Sequence, residues 1–199
     1  SYEADMVRRA SDGNICTRGA TKKKKATPVG PNVNTIYPDG SYCIVIGIND
    51  YESSGIPTDE GGMPNLTCAL QDAKLMRDTL LAKGLKLLGE LYGDNVTEKN
   101  LRKLLSRAKK MLTGKVKARF VFFFAGHGYL DEDEDGWLCC YGCNTTELED
   151  TCIRMHILKD FARGLCCIHQ VYFIDACYAG SLLIGARGAP TKFELVQMS

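Results

Sequence analysis

Phe122-Phe123-Phe124-Ala125-Gly126-His127-Gly128 and Phe173-Ile174-Asp175-Ala176-Cys177-Tyr178-Ala179-Gly180 are the two stretches whose reading decides the fold. Each is an apolar, β-prone run that stops at one chemically capable side chain with glycine close by. A buried parallel strand reads as a continuous apolar run, and ligands of open α/β sheets bind just past the carboxyl ends of such strands. As neighbours in one sheet, these strands set a general base, His127, opposite a thiol nucleophile, Cys177.

The rest of the chain supplies the sheet those strands need. Cys43 to Ile48 reads as a first buried strand, followed by a Gly/Pro/Ser/Asp-rich loop from Asn49 to Asn65. Leu70, Ala73, Met76 or Arg77, and Leu80 then recur at helical spacing and stop at Gly84. Leu87 to Leu91 is a weaker strand. Thr97 caps a helix whose Leu101, Leu104, Leu105, Ala108, Met111 and Leu112 form an apolar stripe ending before Gly114. Phe120 to Ala125 is the third strand and Trp137 to Tyr141 a short extended piece. Ile153, Ile157, Leu158, Phe161 and Leu165 mark a third helix capped by Asp150 or Thr151, and Val171 to Ile174 is the fourth strand. The alternation predicts an α/β fold with a mostly parallel sheet and helices on both faces. The expected organisation is a disordered arm over 1–40, a catalytic domain over 41–185 and a flexible linker or tail over 186–199.

Bulk properties narrow the function. With 25 basic and 24 acidic residues the net charge is +1, which gives no overall field for nucleic acid or membrane. No apolar stretch approaches a transmembrane helix and no signal peptide is visible. Charge segregates locally: Lys22 to Lys25 is a basic run of the kind nuclear signals use, and Asp131 to Asp135 an acidic one. Ten cysteines in a chain of 199 residues, several at apolar positions, read as reduced thiols of an intracellular protein, cytoplasmic or nuclear.

A cysteine thiol is largely protonated at neutral pH and needs a neighbouring base. His127 meets that need, and the small residues around both side chains let a substrate backbone approach. The amides of Gly128 and Cys177 are placed to donate to an oxyanion. Cys140-x-x-Cys143, Cys152 and His156 also lie within one short segment. With no second Cys-x-x-Cys, they read as a packed hairpin and a solvated histidine rather than a zinc site.

The Gly-His-Gly loop, 50 residues before an Ala-Cys at a strand end, resembles the caspase-like cysteine peptidases. Asp175-Ala176-Cys177-Tyr178-Ala179-Gly180 and Ala125-Gly126-His127-Gly128-Tyr129 are closest to the metacaspase and paracaspase branch, as a large catalytic subunit. That resemblance implies a caspase-like sheet, Cys177 as nucleophile, His127 as base, and Gly128 at the oxyanion. It also implies that Asp175 and Asp72 line a pocket selecting Arg or Lys before the scissile bond, in protein or peptide substrates. Two carboxylates facing one cationic side chain explain such a choice. Asp72 has a plainer reading as a surface partner of Lys74 or Arg77.

The resemblance further implies that a C-terminal small subunit, or an equivalent partner, completes the sheet. Self-processing is expected after Arg187 or Lys192. No cofactor is expected, since calcium-dependent relatives carry an acidic ligand where Ile184 stands, although Asp135, Glu149 and Asp150 sit near other ligand positions. The alternative function is a catalytically silent caspase-like module acting in protein assembly.

Overall fold

Three apolar runs dominate the core because they are neighbours in one sheet. The structure, a computed structural model, describes residues 33–176 and 192–197. A short helix α1 (Val33–Ile36) precedes β1 (Ser41–Gly47), which is buried at every position. Helix α2 (Ala69–Ala82) and β2 (Lys86–Tyr92) follow, then α3 (Glu98–Leu112) and β3 (Arg119–Ala125). After β4 (Gly128–Leu130), β5 (Gly136–Cys139), α4 (Leu148–Thr151) and β6 (Cys152–Arg154) come α5 (Met155–Arg163), β7 (His169–Asp175) and β8 (Lys192–Gln197).

The main sheet has the order β2-β1-β3-β7-β8, and every neighbouring pair in it is parallel. The register lines up Gly47, Ala125 and Asp175 at the carboxyl edge. Helices cover both faces, as the α/β reading requires. Val45, Phe123, Ala125 and half-buried Phe173 meet α2 through Ala73, Met76 and Leu80. On the opposite face Ile44, Ile46, Phe120, Phe122, Phe124, Tyr172 and Ile174 meet α3 and α5 through Leu101, Leu105, Leu158 and Phe161. Each such phenylalanine contributes roughly 1.5–3 kcal/mol on leaving water. Gly47 lets α2 approach, because a Cβ there would overlap Ala73.

Three expectations need correcting. Ile153 does not start the third helix; it lies in β6 opposite Leu138 of β5, and α5 begins at Met155. The apolar spacing suits a helix, yet Ile153 and Leu138 bury each other completely and Arg154 stacks over Trp137 at 4.7 Å. Strands β4, β5 and β6 thus form a small antiparallel sheet, of which only the middle part was legible. Residues 192–197, read as tail, form β8 and pair with β7, whose backbone groups would otherwise edge the sheet. Residues 33–40, read as arm, pack on the domain: the Tyr37 hydroxyl meets His169 Nδ1 at 2.8 Å, and Asp39 accepts from the Lys117 amide at 2.8 Å. The Lys22 to Lys25 run lies outside the described residues. Among those described, no helix is long and apolar enough to cross a membrane.

Candidate active site

The chain leaves β1 toward β2 on one side and returns to β3 on the other, so β1 and β3 diverge at a switch point. Loops leaving the carboxyl ends of two such strands part and open a crevice. His127 follows β3 directly at this edge. It is half-buried, and its surroundings come from the loop that follows β1.

Tyr51 holds the histidine's backbone. Its buried hydroxyl accepts from the His127 amide at 2.8 Å and donates to the Cys139 carbonyl at 3.2 Å. Burial pushes the Tyr51 phenol well above its usual range, so the hydroxyl stays protonated and able to donate. The Cys139 amide returns a bond to the His127 carbonyl at 3.0 Å. The tyrosine and imidazole rings lie 4.9 Å apart, centre to centre. Gly126 is required here: a Cβ would sit 2.8 Å from both Ile48 and the Tyr51 hydroxyl.

The same loop orients the imidazole. His127 Nε2 lies 2.9 Å from the Pro64 carbonyl, and a carbonyl only accepts, so Nε2 carries the proton. The other nitrogen, Nδ1, is left as the basic one. Pro64 is placed by Asn65, whose side-chain oxygen accepts from the Tyr51 amide at 2.7 Å and the Glu52 amide at 3.1 Å. Asn49 ties the loop to α2, its side-chain oxygen accepting from the Leu70 amide at 2.8 Å. Reading the sequence for chemistry missed Tyr51, Pro64 and Asn65. A carbonyl leaves no side-chain signal, although a tyrosine in a Gly/Pro-rich loop next to the first strand is a usable one.

One predicted carboxylate, Asp175, lies at this edge and feels the charge of the other, Asp72. Asp175 ends β7, and the Gly126 amide donates to its carbonyl at 3.1 Å, joining the histidine loop to the strand before Cys177. Burial, and then the charge of Asp72, raise the Asp175 carboxyl above its ordinary value. Asp72 is exposed in the first turn of α2, where the positive end of the helix favours an anion. Arg77 pairs with Asp78 at 2.9 Å and Glu90 at 3.3 Å, while Lys74 lies over the Tyr92 ring. Among the described residues, neither cation answers Asp72.

The other predicted residues divide. Gly128 is buried at the start of β4. Lys192 is the first residue of β8. Cys177, Ile184 and Arg187 lie outside the described residues. His156 is exposed and bonds Asp160 at 3.1 Å, away from any sulfur cluster, and Cys139 rather than Cys140 joins Cys143 and Cys152.

An imidazole fixed in one tautomer at a switch point, on the edge where Asp175 ends its strand, is an arrangement suited to proton transfer. The sequence profile described as Caspase domain matches residues 41–194. The chain belongs to the caspase domain family. Members of that family are cysteine peptidases, which act on proteins. No curated protein matches this caspase-domain chain by sequence. The crystal structure of the Drosophila initiator caspase Dronc is similar, with 15% identity and a TM-score of 0.48, covering 82% of this chain and 62% of that one. The caspase-domain chain therefore spans less than two thirds of the Dronc structure's length.

Proposed function

We propose that this protein is a cysteine endopeptidase of the metacaspase or paracaspase type, cutting after Arg or Lys with Cys177 as nucleophile and His127 as base. The observation that carries the reading is one strand edge bearing both an oriented imidazole and Asp175, a carboxylate within reach of the Asp72 charge on α2. With Nε2 committed to the Pro64 carbonyl, Nδ1 takes the thiol proton as sulfur attacks the scissile carbonyl. The oxyanion is received by the amides of Gly128 and Cys177, and His127 returns the proton to the leaving amine. A substrate guanidinium or ammonium answers both carboxylates, offsetting the burial and the Asp72 charge that raise Asp175.

Calcium has no step in this scheme. Arg154 pairs with Asp135 at 3.5 Å and Glu149 at 2.6 Å, which supports a structural role for those two carboxylates. Self-processing is assigned to the Arg187–Gly188 bond in preference to Lys192–Phe193, because cutting after Lys192 requires β8 to leave β7. A small subunit or equivalent partner adds at β8, one of the two outer strands of the described sheet.

The test is a positional peptide library with wild-type protein and the Cys177→Ala and His127→Ala variants. Wild type should cleave after Arg or Lys, and both variants should lose at least about a thousandfold in kcat/KM. Cleavage after Asp, or turnover retained without Cys177, defeats the reading. A folded wild-type protein inert toward every peptide supports the silent assembly module instead.

A further inference from the structure

Three thiols outside the catalytic edge lie together in the core. Cys139 on β5 faces Cys152 on β6 across the strand pair, and Cys143 folds back over them from the turn after β5. Gly142 makes that turn possible with φ 78°. The three sulfurs lie within 4.8 Å of one another, and the residues are 0%, 2% and 0% exposed. Cys143 Sγ stands only 2.8 Å from Cys152 Sγ.

That separation chooses between a shared metal ion and a covalent bond. Sulfurs held at about 2.3 Å by one tetrahedral zinc stand about 3.8 Å apart, and such a site takes four ligands. Here one pair is far closer, and among the described residues no fourth ligand joins the three: Cys140 Sγ turns toward the Leu138 carbonyl and His156 points to Asp160. Non-bonded heavy atoms rest at about 3.5–4.0 Å, while a disulfide needs about 2.0 Å.

We propose that Cys143 and Cys152 are an oxidation site, joined as a buried disulfide by a small peroxide, which staples the turn after β5 to β6. One thiolate attacks a peroxide oxygen, the O–O bond breaks, and the departing hydroxide leaves as water with a proton. The second thiol then displaces the hydroxyl of the resulting sulfenic acid, forming the S–S bond and a second water. Two electrons pass from the sulfurs to the two peroxide oxygens. A small oxidant reaches the cluster when the surface turn around half-buried Tyr141, Gly142 and Asn144 opens. Because the Cys139 backbone holds both His127 and Tyr51, the staple braces the strand pair behind the histidine.

The experiment treats the whole protein with hydrogen peroxide, unfolds it, alkylates free thiols and maps the unreduced peptides by mass spectrometry. The expected result is one cross-link between the peptides carrying Cys143 and Cys152, reversed by dithiothreitol. A rise in melting temperature of roughly 5 °C should accompany it. Cys143→Ala should abolish link and rise, and Cys139→Ala should keep both. Alkylation of both residues after oxidation overturns the proposal, as does a link through Cys139. So does equimolar zinc or copper that co-purifies with wild type and is lost in Cys152→Ala. Mapping and melting read the cross-link directly, so they stand or fall apart from catalysis at His127.

Discussion

At the residue scale, Tyr51 and Asp175 show how the surroundings set a side chain's chemistry. The Tyr51 hydroxyl serves two backbone groups at once, the His127 amide and the Cys139 carbonyl. Tyr51→Phe keeps the ring and removes the bridge, leaving both groups unsatisfied at a cost of about 1–3 kcal/mol. We expect kcat on an Arg substrate to fall roughly tenfold or more, KM to change little, and the acidic limb of the pH profile, where the neutral imidazole is lost, to move as the ring loses its fixed position. An unchanged pH profile with an unchanged kcat would show that Tyr51 only fills space. Asp175 yields a prediction with a defined sign. Its carboxyl holds a proton more tightly folded than unfolded, because burial and the Asp72 charge disfavour the ionised form. Stability is therefore lost as pH rises from the ordinary carboxylate range through the raised value, and ionised Asp175 is a burden at neutral pH. Asp175→Asn should melt higher than wild type at pH 7, lose that advantage at acidic pH, and bind Arg substrates much more weakly. Thermal melts across pH, alongside KM, check both halves.

At the element scale, the ends of helices and strands matter more than their middles. Thr97 caps α3, its hydroxyl accepting from the Asn100 amide at 3.2 Å, as Thr before an apolar-periodic run predicts. Thr97→Ala should cost about 1 kcal/mol, read as a lower melting temperature with little change in activity. The α3 stripe was legible because all but one of its residues face the sheet; Met111, at the stripe's flank, is 47% exposed. Strand β6 was not legible. Its three residues carry too short a pattern to declare a strand, and the apolar spacing from Ile153 to Ile157 mimics a helix. Only the presence of β5 alongside decides that Cys152 and Ile153 extend. The Cys139–Cys143–Cys152 cluster belongs to the same class, since facing sulfurs on paired strands are a matter of register.

At the scale of the whole molecule, the outer strand β8 covers one of the sheet's two edges. Strand β8 pairs with β7 along His169 to Ile174 and protects its backbone. A chain ending at residue 191 leaves that edge bare, and we expect lower solubility and a lower melting temperature. Light scattering and thermal melts should show both, and a monomeric, fully stable product would mean that β7 needs no cover.

The sequence alone determined the sheet's inner strands, the helices on both of its faces and the place of His127 just past the end of β3. Apolar runs, capping residues and glycine stops act over short distances, so they can be read along the chain. Only the tertiary structure decided what surrounds that histidine: a carbonyl from Pro64, a hydroxyl from Tyr51 and the charge of Asp72 acting on Asp175. It likewise decided that Lys192 opens a strand and that three thiols meet. These are contacts between residues far apart along the chain, or on strands whose register the local pattern leaves open. Their geometry comes from strand order and loop packing, which no local pattern encodes.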